Sequence, residues 1–254
     1  MVLEGKVELE TAGGIATIRF SHPAQNSLPG RLLRELAAAI REAGAQEAIR
    51  VVVLCSGGDR TFCAGASFDE LAAIETEESG LAFFSGFALV INAIRTCPKF
   101  VIGRVQGKAV GGGVGLAAAT DYCLATPQAA VKLSELNVGI GPFVVGPAVE
   151  RKMGLSAFSQ LAIDASTFYP AEWARQKGLY NELFEDIAAL DAGVAVLAER
   201  LCAYSPEAMR ELKRVFWQGT EHWDTLLSER AAISGRLVLS TFTKEAIAQF
   251  KEKR

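Results

Sequence analysis

Residues 100–125 read FVIGRVQGKAVGGGVGLAAATDYCLA. Residues 100–105 have the length and apolar character of a buried strand. Residues 107–115 form a glycine-rich loop, 116–120 continue it as a helix, and 122–125 make another strand. Strand, loop, helix and strand in succession define an α/β chain with helices packed over a sheet. Glycine at the head of a helix costs about 1 kcal/mol per residue relative to alanine. A group lying close against the backbone accounts for that cost.

The same alternation extends towards the N-terminus. Residues 7–9 and 15–20 alternate around Gly13-Gly14 as a hairpin. Residues 21–28 are a turn-rich loop. Leu32, Leu33, Leu36, Ala39 and Ile40 recur at helical spacing within 31–43. Residues 51–55 are a buried strand, 61–67 a loop of small residues, and 68–74 a helix. A long apolar helix over 81–95 is stopped by Pro98. Beyond Phe143 the pattern turns mainly helical, with helices at 171–177, 187–203, 206–217 and 223–239. An amphipathic tail over 243–254 has Ile247 and Phe250 on one face and Lys251, Lys253 and Arg254 at its end.

The 254 residues are 50% hydrophobic and 22% charged, which suits a globular chain of one or two domains. The net charge is -3 and no basic run occurs, so electrostatic nucleic-acid binding is not expected. The opening MVLEGKVELE carries acids where a leader has its apolar region, and the apolar stretches 51–55 and 87–94 are too short to span a bilayer. Five cysteines without a CxxC pair read as reduced core thiols, so the expected location is cytoplasmic, without a membrane partner. Two histidines, His22 and His222, are too few for a multi-histidine metal centre, and both read as surface residues.

Three segments carry chemistry. Phe62-Cys63-Ala64-Gly65-Ala66-Ser67 is small enough for a ligand to reach the backbone, and it runs into a helix whose first N–H groups are unpaired. Taken alone, a tight turn is the simpler explanation. Gly111-Gly112-Gly113-Val114-Gly115-Leu116 overlaps a dinucleotide fingerprint starting at Gly113, with Glu135 twenty residues past Gly115, but the preceding strand ends near Val105, too early for that motif. Glu135 is the single acid of 132–143. In apolar surroundings a carboxylate has a raised pKa and serves as an acid or base near neutrality. An exposed loop glutamate or a helix-start acid is the simpler alternative.

In this order and spacing the segments resemble the crotonase (enoyl-CoA hydratase/isomerase) superfamily over nearly the whole chain. His22-Pro23-Ala24-Gln25-Asn26-Ser27-Leu28 is similar to its RPxxxNAL loop, and Phe62 to Phe68 to its FxAGAD segment. Gly107 to Ala117 matches its glycine triplet, followed by Asp121-Tyr122. Ala174 to Leu179 is similar to its AxxxGL, and Phe250 to Arg254 to its closing FxxKR. The resemblance implies an α/β spiral of ββα units, with residues 1–200 as the core and 201–254 as a helical trimerisation region. It implies homotrimers or hexamers and acyl-CoA substrates, with CoA as part of the substrate and no separate cofactor or metal. Substrate contacts would come from Ala64, Ala66, Ser67, Phe68, Gly111 and Gly112. The N–H groups of Ala66 and Gly112 would form an oxyanion hole, and Glu135 would move the proton. The chemistry is consistent: acidifying the α-carbon of a thioester requires fixed donors at the enolate oxygen, each worth about 3 kcal/mol.

The chain departs from the family pattern at Gly115, where hydratases carry the first of two glutamates. A lone acid at Glu135 suits shifting a double bond, so isomerisation is favoured over hydration. The loop Gly139-Ile140-Gly141-Pro142-Phe143 is similar to that of the isomerase branch. Ser67 replaces an aspartate, and Asp121 reads as a structural helix-end residue. The alternatives are a hydratase with an unidentified second acid, another reaction using the same oxyanion hole, and a non-catalytic acyl-CoA-binding member.

Overall fold

The computed structural model describes residues 4–252, with side chains through 249. Strands β1 (Lys6–Ala12) and β2 (Ile15–Ser21) form the expected antiparallel hairpin. Its turn needs Gly13 and Gly14, at φ 58° and 84°. β3 (Val51–Ser56), β5 (Phe100–Val105), β7 (Tyr122–Ala125) and β9 (Glu182–Leu183) extend the sheet in parallel, in the order β1-β2-β3-β5-β7-β9. A second, three-stranded parallel sheet is built from β4 (Thr61–Cys63), β6 (Lys108–Val110) and β8 (Val131–Lys132). The chain thus gives one strand to each sheet before each helical segment. Those segments are α2 (Phe68–Ala72) with α3 (Glu77–Thr96), then α4 (Gly112–Ala119), then α5 (Gly146–Ile163). This is the expected spiral of ββα units.

Both faces of the large sheet are covered, so its central strands β3 and β5 are mainly apolar, with the buried Arg104 paired to Asp191. α1 (Gly30–Ala45) buries Leu32, Leu33, Leu36 and Ile40 on one side. α7 (Ile187–Cys202) sets Leu190, Val194 and Ala198 against Val51, Val53, Ile102 and Leu124 on the other. α6 (Ala171–Gln176), α8 (Pro206–Phe216), α9 (Trp223–Leu237) and α10 (Thr241–Glu252) complete the helices. Trp223, Leu227 and Ala231 of α9 join the same buried core as Leu54 and Val105.

Several expectations are corrected. The loops at 61–67 and 107–115 each contain a three-residue strand, too short to show alternation. α5 was not anticipated, because Pro147 stands in its first turn and Gly154, at φ 79° and ψ 157°, kinks it. α3 begins four residues before Leu81, where Thr76 and Ser79 form a capping box. With 20 residues, α3 is long and apolar enough by length and composition to cross a membrane, contrary to the expectation for 87–94; here it packs against α1 and α9 with Val90, Ile91 and Ile94 buried. His222 is exposed, but His22 is half-buried. Its Nδ1 accepts a hydrogen bond from the Ala24 N–H at 3.2 Å, and burial, then the nearby Arg31, lower its pKa. All five cysteines are free and four are buried, Cys202 being partly exposed. In the tail, Ile247 is buried, whereas the Phe250 and Lys251 side chains and all of Lys253 and Arg254 lie outside the described residues.

Asp121 is fully engaged in structure. Its Oδ2 accepts from the Val101 N–H at 2.7 Å and its Oδ1 from Trp217 Nε1 at 2.8 Å. Lys213 Nζ lies 2.8 Å from Oδ2, with both side chains at most 4% exposed, and also donates to the carbonyls of Ile94 and Lys99. The pair ties α8 and the following turn to the sheet. Removing one partner leaves a buried charge uncompensated, which costs about 3–5 kcal/mol. Asp121→Ala is therefore expected to lower the unfolding free energy by about that amount, measured by denaturant titration, while turnover of the folded fraction stays near wild type.

Candidate active site

Two backbone segments meet beside the N-terminus of α4. Leu28 N–H donates to Gly65 O at 2.8 Å, and Ser67 N–H donates to Leu28 O at 3.2 Å. In that parallel bridge the intervening Ala66 turns its own N–H the other way. Gly112 is the first residue of α4, so its N–H has no partner within the helix. Neither N–H meets a protein acceptor among the described residues. The segments are close: a Cβ placed on Gly65 would stand 3.1 Å from Val110 O and 3.6 Å from Gly112 N.

The glycine triplet is explained by what surrounds it. A Cβ on Gly112 would lie 2.2 Å from the Phe87 ring, and one on Gly113 would lie 2.5 Å from Cys63 O. At Gly111, with φ 53°, it would lie 3.1 Å from Glu135 Oε1. The close approach inferred from the sequence is thus made by an aromatic ring, a backbone carbonyl and a carboxylate.

Glu135 opens the 3₁₀ turn Glu135–Val138. Its Oε2 is shielded from solvent and has no hydrogen-bond partner. Burial raises the carboxyl pKa to about 7, partly offset by its own backbone N–H. The carboxyl borders an apolar chamber. Ala64, Ala66, Phe68, Gly111 and Gly112 line the same chamber, with apolar walls from Leu71, Phe84, Phe87, Ile140, Phe143 and Val145. Residues 84 and 87 fall in the long helix read from the sequence, but the roles of Leu71 and Val145 had no local signal. Ser67 stands apart. It borders an adjoining groove, its Oγ caps α2 by accepting from the Glu70 N–H at 3.4 Å, and its N–H is already used. The expected loop His22 to Leu28 shapes that groove's rim. Asn26, at φ 56°, donates to the carbonyls of Gly57 and Thr61 at 2.7 and 2.8 Å, fixing the turn.

Among the described residues, the chamber lining holds no acid besides Glu135. The space facing Gly115 is filled: an added Cβ there would be 2.4 Å from Val145 Cγ1. Asp121 is committed to Val101, Trp217 and Lys213.

The enoyl-CoA hydratase/isomerase family model matches residues 10–254, and the chain belongs to that family. A probable enoyl-CoA hydratase of Rhizobium meliloti (strain 1021) is 30% identical, over 97% of this chain and 95% of the relative. The mitochondrial methylglutaconyl-CoA hydratase of Rattus norvegicus is 31% identical, over 91% of this chain and 74% of the relative. The crystal structure of an enoyl-CoA hydratase from Bacillus halodurans shares the fold, with a TM-score of 0.88 at 21% identity, covering 96% of this chain and 99% of that one.

The raised pKa of Glu135 has a cost in stability. An unfolded chain ionises near 4.5 and the folded protein near 7. The stability associated with the protonated form is complete below about pH 4.5 and is lost as pH rises through 7. The loss is on the order of 3 kcal/mol. Glu135→Gln has no charge to bury. It is expected to be more stable than wild type at pH 8 by up to that amount, with the difference vanishing near pH 4.5, as read from denaturation midpoints across pH.

Proposed function

We propose that the protein acts on acyl-CoA thioesters, the N–H groups of Ala66 and Gly112 holding the thioester oxygen and Glu135 transferring the proton. The observation that carries this reading is the pairing of two unengaged N–H groups with a glutamate whose solvent-shielded Oε2 has no hydrogen-bond partner among the described residues, at the wall of one apolar chamber. Ala64, Ala66, Phe68, Ser134 and Val138 border both chamber and groove, so a thioester at this junction would have its acyl group in the chamber and its CoA portion in the groove.

Deprotonation of the carbon next to the thioester carbonyl develops charge on oxygen. Fixed donors stabilise that charge, and the α4 N-terminus adds the favourable end of a helix dipole. Glu135, as carboxylate, takes the proton and returns it two carbons away, which moves a double bond. A pKa near 7 leaves an appreciable share of each form at neutrality, as a base that must also act as an acid requires. We favour this isomerisation because the Gly115 position is closed by Val145, leaving no space for a second carboxylate to hold water there. Hydration by Glu135 alone is the second reading, and the names of the relatives favour it.

In coupled spectrophotometric assays, 3-enoyl-CoA thioesters are expected to be converted and 2-enoyl-CoA thioesters hydrated poorly. Glu135→Gln should reduce turnover about 10²-fold or more while leaving binding of saturated acyl-CoA unchanged. Strong hydration by the wild type would establish the second reading in place of the first.

The closed position makes a paired expectation. Gly115→Glu alone overpacks against Val145, at a cost of about 1–3 kcal/mol, and gains no hydratase activity. Gly115→Glu combined with Val145→Ala is expected to hydrate 2-enoyl-CoA measurably above wild type.

A further inference from the structure

The chamber lining holds three polar side chains among the described residues: Ser134, Glu135 and Ser234. Ser134 borders the groove as well as the chamber, so it stands at the entrance. Ser234 does not. It comes from α9, at the chamber's other boundary, and is 1% exposed. It is brought there by a helix crossing without side chains: a Cβ on Gly80 of α3 would stand 2.7 Å from the Cα of Gly235.

The Ser234 hydroxyl is poorly used by the protein. Its single hydrogen bond goes to Arg230 O, one turn back, at 3.4 Å. A hydroxyl offers one donor and two acceptor sites. Here the donor is engaged at long range and neither acceptor site is filled by a protein group. The long bond to Arg230 O holds the proton and leaves the Ser234 oxygen able to accept. A ligand that supplies a donor would satisfy it.

We propose that Ser234 is a specificity-determining residue selecting acyl groups that carry a hydroxyl on the chain beyond the reacting carbons. The substrate hydroxyl donates to Ser234 Oγ, which keeps its own proton on Arg230 O. This assignment rests on the acyl-CoA reading of the chamber but not on which reaction is catalysed there. A site that hydrogen-bonds a substrate hydroxyl discriminates against the analogue lacking it, whereas an apolar wall rejects the hydroxyl only weakly.

The test is calorimetric binding of two saturated CoA thioesters of equal chain length, one with a distal hydroxyl and one without, to wild type and Ser234→Ala. Wild type is expected to bind the hydroxylated thioester about tenfold more tightly, and Ser234→Ala to lose that preference while binding the plain thioester at least as well. Ser234→Thr retains the hydroxyl and is expected to retain the direction of the preference. Equal binding of both thioesters by wild type overturns the assignment of Ser234 alone. An unchanged preference in Ser234→Ala overturns it too. If neither thioester binds, both this assignment and the acyl-CoA reading are overturned.

Discussion

Backbone that must lie bare organises this molecule. At 111–113 a single methyl group on any residue would meet Glu135, the Phe87 ring or the Cys63 carbonyl. That contact plane is where the second repeat's helix, the first repeat's loop and the acid-bearing turn converge. The two sheets exist to deliver these three segments to one place. β4, β6 and β8 lie side by side, and the chain leaves them at Ala64, Gly111 and Leu133 respectively, immediately before the groups that line the chamber. A parallel arrangement sends all three exits in one direction, which is why parallel sheets gather functional residues at the ends of their strands.

Glu135 shows what this convergence does to an ordinary side chain. Among the described residues its Oε2 has no partner, and the surrounding walls are mainly phenyl rings and aliphatic chains. Desolvation alone moves its titration to neutrality. The protein thereby exchanges fold stability for a group able to give and take a proton under physiological conditions, the usual relation between a strained site and its scaffold.

Much of the scaffold was legible in local sequence. The hairpin, the apolar strands of the large sheet and most helices follow from periodicity, and the bare backbone was signalled by three consecutive glycines. The role of Glu135 as an isolated acid was visible from its neighbours. What local pattern did not reveal were contacts made across long stretches of chain. Val145, just before α5, packs against Gly115 of α4, and Ser234 reaches the chamber from nearly a hundred positions beyond Glu135. α5 was obscured because Pro147 and Gly154 are punctuation in a local reading, whereas in the fold one sits harmlessly in a first turn and the other marks a kink. The small strands were missed because three residues contain too little alternation to register. Ser67 illustrates a different limit: its place in a motif indicated the right neighbourhood, while its hydroxyl is employed in capping a helix.

The contact between Gly80 and Gly235 sets how near α3 and α9 can come, and both helices supply walls to the chamber. Phe84 lies about one turn along α3 from Gly80, and Ser234 adjoins Gly235. The width of the chamber is therefore governed by an interhelical spacing, with the glycine pair as its stop. Enlarging one residue at the crossing would separate the helices and recalibrate the range of accepted molecules from a position that touches none of them.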